Sequence, residues 1–173
     1  MSEGQRIRRP ALLCLHCIGN VACYRAGWTQ QERKELRIAR DFWKRANGNF
    51  LDVAVLEWCK LFAEKDGRHH WRRTLPAHFR QHLFAEIGMS SEQFKTALKV
   101  VKAYRDQYVA HLDDVTGGVY PDTEYLLRSA ACLYRNLVTH AEDEGYLDDA
   151  PVSADDFYQA RFEDAVAEVT ASQ

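Results

Sequence analysis

The chain lacks any run of 18 uninterrupted apolar residues, so the sequence predicts no membrane-spanning helix. It also lacks a clean export signal. Arg6, Arg8 and Arg9 precede an apolar stretch, but His16, Gly19 and Asn20 interrupt it and no small-x-small cleavage site follows. Charge of one sign is not in excess: the formal net charge is −2, which excludes constitutive tight binding to nucleic acid on charge alone. No alternating run bounded by turns demands a strand, and there is no repeat or low-complexity tract. Glycine-rich phosphate loops, dinucleotide fingerprints and nucleophile elbows are missing too, which removes the commonest nucleotide-dependent and serine-hydrolase chemistries. The five cysteines are an odd number placed within apolar helical patterns, as expected of reduced, buried thiols in a cytoplasmic protein.

What the chain does have is helical periodicity. Residues 1–9 are polar and expected to be mobile, and 10–173 are expected to form one helical domain closed by an acidic last helix. Pro10 should open a helix to about Ala26, ended by Gly27. Thr29-Gln30-Gln31-Glu32 has the form of a capping box for a helix to about Arg45, with a break at Asn47-Gly48. Asn49 should cap a helix from Phe50 to about Glu64, followed by an ordered loop and a short helix from Pro76 to Ile87. Ser90 or Ser91 should cap a central helix through Asp113, and Thr116-Gly117-Gly118 should break the chain. Pro121-Asp122 then opens a helix to about Glu142, and Ser153 caps a last one to about Val169. The fold class is therefore all-α, an up-and-down bundle of six or seven helices.

The central helix carries the candidate chemistry. Phe94, Leu98, Val101, Tyr108 and Leu112 form its apolar stripe, with Arg105 at one edge and His111 at the other. A cation on a core-facing stripe costs several kcal/mol, about 3–5 when left unpaired, so Arg105 belongs either to an ion pair or to a site. Residues six apart on a straight helix differ by about 120° and about 9 Å, so a kink or a two-fold partner must bring the two side chains together. Arg105-Asp106 with Ala110-His111 resembles the R-x(4–6)-H signature of the HEPN superfamily, and the following Leu112-Asp113 is similar to its abortive-infection branch. The resemblance extends from about Phe42 to about His140. It implies a homodimer with a shared cleft, acting as a metal-independent endoribonuclease or toxin of a bacterial defence system, with an antitoxin or defence partner possible and no cofactor. In that scheme His111 is general base or acid, Arg105 holds the scissile phosphate, and Asp106 orients or pairs with them.

Two other pairs match the loose spacing. Arg73 and His78 have Pro76 between them, while Arg135 and His140 share one helix. Arg68, His70, Trp71, Arg72 and Arg73, with His69 and Arg80 nearby, form a basic, aromatic-bearing cluster suited to tracking RNA and stacking a base. No metal site is expected. Cys14, Cys17, Cys23 and His16 sit on one helical pattern with a single Cys-x-x-Cys, and His78 and His82 lack the glutamate of a zinc protease. Asp113-Asp114 reads as a solvated helix end. The competing functional class is a non-catalytic dimerisation or nucleotide- or protein-binding module in which Arg105 is structural.

Overall fold

The computed structural model describes residues 2–28, 41–110, 119–141 and 145–171. These form an all-α bundle: α1 (Glu3–Ala26), α2 (Asp41–Phe62), α3 (Phe79–Ile87), α4 (Ser91–Tyr104), α5 (Thr123–Ala141) and α6 (Ala154–Ala171). A 3-10 turn spans Trp71–Arg73, and a π-helical turn, Arg105–Ala110, continues α4. No strand occurs among the described residues. The predicted Thr29–Glu32 capping box, His111, Asp113-Asp114 and the Thr116–Gly118 break lie outside them.

The hub is α1, which packs against α2, α5 and α6. It starts about two turns before the expected Pro10. Ser2 caps it by accepting from the Gln5 N–H at 3.4 Å, and the added turns bury Ile7 one turn before Ala11 and Cys14. Arg8 meets both carboxylate oxygens of Asp149 at 2.6 Å. Pro10 therefore lies inside the helix, where its missing N–H removes the bond that the Arg6 carbonyl would ordinarily accept from position 10. Thr74 supplies one, its Oγ1 donating to that carbonyl at 3.0 Å.

The expected break at Asn47-Gly48 does not occur, because α2 runs through it. Asn47 is buried, and in the amide orientation that satisfies its neighbours its nitrogen donates to the Tyr24 carbonyl at 3.0 Å while its oxygen accepts from the Trp28 indole at 3.3 Å. A tertiary partner has overridden a local turn preference. Gly27 makes room for it: a Cβ at position 27 would lie 2.3 Å from the Asn47 amide. Its φ of −67° is ordinary, so the constraint is space and not backbone conformation. Gly27→Ala is accordingly expected to lose about 1–3 kcal/mol by overpacking. Thermal unfolding checks this, with part of the loss recovered when Asn47→Ala is added; a stabilised single variant would refute the contact.

Trp58 of α2 is fully buried at the centre of the aromatic core. Its ring stands 5.0 Å from Phe62, 5.2 Å from Tyr125 and 6.3 Å from Phe94, centroid to centroid. Its indole N–H donates to Ser129 Oγ at 2.8 Å, and that hydroxyl donates to the Tyr125 carbonyl. The helix carrying Arg105 is less central than its stripe predicts. Val101 and Tyr104 are its buried residues, and Phe94 and Leu98 are only partly covered.

Candidate nucleic-acid interface

Between α3 and α4 lies a groove of about 330 Å³. Local sequence builds the corner. Gly88 takes φ 68°, its N–H and that of Met89 closing back on the Ala85 and Phe84 carbonyls as a Schellman turn. Ser90 and Gln93 then form a reciprocal capping box, as the sequence predicts. The reversal sets Phe84 against Phe94, 5.1 Å apart, and Phe62 joins them from the end of α2. Five of the twelve lining residues are cations (Lys65, Arg72, Arg80, Lys95 and Lys99), and none is acidic.

Packing fixes two of these cations. The Arg80 guanidinium lies 5.2 Å from the Phe84 ring centroid and donates to Ser91 Oγ at 2.7 Å. That of Arg72 lies 5.3 Å from the Trp71 ring. Lys95 reaches Glu92 at 2.7 Å, an exposed pair that an anionic ligand can displace at small cost.

The basic cluster expected to touch RNA divides by burial. Arg68, Arg72 and Arg73 are exposed; Arg72 lines the groove and Arg73 donates to the Asp66 carbonyl at 3.4 Å. Trp71 is buried against Phe79 with ring centroids 5.1 Å apart, so it is a wall and not a free stacking platform. His70 is buried beside it. Its Nε2 donates to the Phe62 carbonyl at 3.2 Å and its Nδ1 accepts from the Arg72 N–H at 3.3 Å. Burial pushes its pKa down to about 4, and the charges of Arg72, Lys65 and Arg73 act in the same direction. Sequence reading missed Lys65, Phe84, Phe94, Lys95 and Lys99 as groove residues. The available signal was paired spacing: Arg80/Phe84, Phe94/Leu98 and Lys95/Lys99 each fall four apart on one helix.

Arg105 opens the π-helical turn with its side chain 19 % exposed. It donates to Asp106 Oδ1 from Nε at 2.8 Å and contacts Glu64 Oε1 at 3.3 Å. π-helical turns widen a helix, often at functional positions. The pairing with His111 falls outside the described residues. The rival Arg135 is bound to Glu86 and lies 3.5 Å from Asp155, and His140 is exposed near the end of α5.

Cys14, Cys17, Cys59 and Cys132 are buried free thiols, and burial pushes Cys59 up to about 11. The group of ligating side chains that converges among the described residues is His82, Glu86 and Cys132, away from the Cys-x-x-Cys. Among the described residues no helix is long and apolar enough to cross a membrane. Comparison with protein-family models, curated proteins and solved structures finds no match.

Proposed function

We propose that this chain handles single-stranded RNA, held in the α3–α4 groove and cut beside it. The groove carries the proposal: an aromatic floor under a rim of lysine and arginine without a carboxylate suits an unstacked base flanked by phosphates. The turn after α2 links binding to chemistry, because Lys65 lines the groove while its neighbour Glu64 holds Arg105. Lys99 lies on α4, the helix that the π-helical turn bearing Arg105 continues. The HEPN resemblance then supplies the reaction, metal-independent attack of a 2′-hydroxyl on the adjacent phosphate. His111 moves the proton, Arg105 offsets the phosphate charge and Asp106 orients Arg105. Such an activity fits a toxin-like endoribonuclease of a defence system, working as a homodimer and controlled by an antitoxin or other partner.

A labelled single-stranded oligoribonucleotide tests both halves. The double variant Arg72→Glu, Lys99→Glu is expected to bind at least tenfold more weakly, with the salt slope reduced by about 1.4 for two lost phosphate contacts. His111→Ala should retain binding and lose cleavage in magnesium-free buffer. Unchanged affinity in the double variant rejects the groove, and undiminished turnover in His111→Ala rejects the cleavage scheme.

One observation favours a non-catalytic module instead. Two carboxylates already engage Arg105, as they would a structural cation. In that case Arg105→Ala lowers the melting temperature or splits an oligomer in sedimentation. On the nuclease reading the variant stays folded and assembled but is inert.

A further inference from the structure

Where α3 packs on α5, His82, Glu86 and Cys132 each offer a ligand atom, and the three atoms lie within 4.8 Å of one another. His82 and Glu86 are four apart on one face of α3, with His82 Nε2 3.3 Å from Glu86 Oε2. Cys132 arrives from α5, and its side chain is fully buried. We propose that these three residues form a binding site for a divalent transition-metal ion, with zinc the best match.

The donor set makes that choice. Magnesium and calcium take oxygen ligands, whereas one imidazole, one carboxylate and one thiolate suit a borderline ion such as zinc. Ligand atoms around a tetrahedral zinc stand roughly 3.3–3.8 Å apart, given the usual bond lengths. With no separation above 4.8 Å, closing the present triangle needs at most a movement of about 1 Å. The His82 side chain is 54 % exposed, which leaves it room to rotate toward the ion. A water molecule would complete the four-coordinate set expected of zinc.

The surroundings are arranged as metal sites commonly are. Arg135 engages Glu86 Oε1, which orients the carboxylate and leaves Oε2 toward His82. Asn136 Nδ2 lies 3.9 Å from Cys132 Sγ in a donor contact that stabilises sulfur carrying negative charge. Burial holds the metal-free thiol protonated, with its pKa pushed up to about 11. Binding therefore forms a metal–sulfur bond as the S–H bond breaks, and the proton passes to buffer. With both carboxylate and thiolate ionised, the two anionic ligands balance the charge of the ion. The site joins α3, which carries one wall of the groove, to α5 in the core, so the metal would brace that wall.

Metal-stripped protein titrated with cobalt(II) reports the site directly, without reference to RNA. Expected is saturable binding of one ion per chain, with tetrahedral visible bands and a thiolate-to-cobalt charge-transfer band, reversed by zinc. Cys132→Ser should abolish the charge-transfer band, while Cys14→Ser and Cys17→Ser should retain it. His82→Ala, at an exposed position that leaves the core intact, should weaken zinc at least tenfold. Absence of saturable cobalt binding, unaltered zinc affinity in His82→Ala, or a charge-transfer band persisting in Cys132→Ser would each overturn the site.

Discussion

Trp58→Ala is expected to remove about 3–5 kcal/mol of folding stability, enough to leave a domain of this size marginal. Three terms act together. The indole is fully enclosed, so truncation leaves a cavity among Phe62, Phe94 and Tyr125. The ring contacts themselves, at centroid separations of 5.0–6.3 Å, are lost. Ser129 Oγ also loses the donor that approaches it at 2.8 Å, although it still donates to the Tyr125 carbonyl. Trp58→Phe separates these contributions. It keeps most of the volume and forfeits the N–H···O bond, for an expected loss of about 1–2 kcal/mol. Urea denaturation measures both. A loss below about 1 kcal/mol for the alanine variant would mean that Trp58 is not the core's centre. The effect reaches the candidate interface as well, because Phe62 and Phe94 floor the groove and rest on this indole.

Trp58 also marks the boundary of what periodicity conveys. Its central position depends on Ser129 and Tyr125, about seventy residues away, which helical spacing in α2 does not convey. Local signals were legible where the physics is local. Ser90 with Gln93, Gly88, and Ser153, whose Oγ accepts the Asp156 N–H at 3.1 Å, occur as their residue types predict. Two expectations failed where a distant partner decides. Asn47 reads as a turn residue until Tyr24 and Trp28 engage it, and Pro10 reads as a helix start until Thr74 takes up the Arg6 carbonyl.

The candidate site was half legible for the same reason. A cation on a stripe asks for a partner; the motif resemblance offers Asp106, while Glu64, the second, lies 41 residues earlier in the chain. The π-helical turn after Tyr104 has no sequence signature that would have announced it. Phe94 and Leu98 read as core from their spacing on the apolar stripe, but they are only partly covered and also floor the groove beside Lys95 and Lys99.

His70 gives the largest expected pH effect, and burial sets its direction, with the bond to the Phe62 carbonyl opposing and the nearby cations reinforcing it. The ring is buried as the Nε2–H tautomer, with Nδ1 accepting from the Arg72 backbone. Protonation would set N–H against N–H there, in an enclosed position flanked by Lys65, Arg72 and Arg73. The native pKa is accordingly about 4, lowered first by burial, against 6.5 for an exposed histidine. The native ring thus resists a proton that the unfolded chain accepts. Its contribution is fully present above pH 6.5, begins to fall as pH drops through that value, and is gone near pH 4. A gap of that size corresponds to about 3 kcal/mol in total and about 2 kcal/mol by pH 5. Carboxylates titrate in the lower part of the window, so the informative quantity is the difference from His70→Gln. A glutamine amide can donate to the Phe62 carbonyl and accept from Arg72 but takes up no proton. Between pH 7 and pH 5 the parent protein is expected to lose about 2 kcal/mol more than this variant in urea unfolding. Parallel stability curves would show that His70 is not held neutral. Because His70 lies in the groove wall, the same acidification should loosen Trp71 and Arg72 first, and affinity for the oligoribonucleotide should fall in the parent before it falls in the glutamine variant.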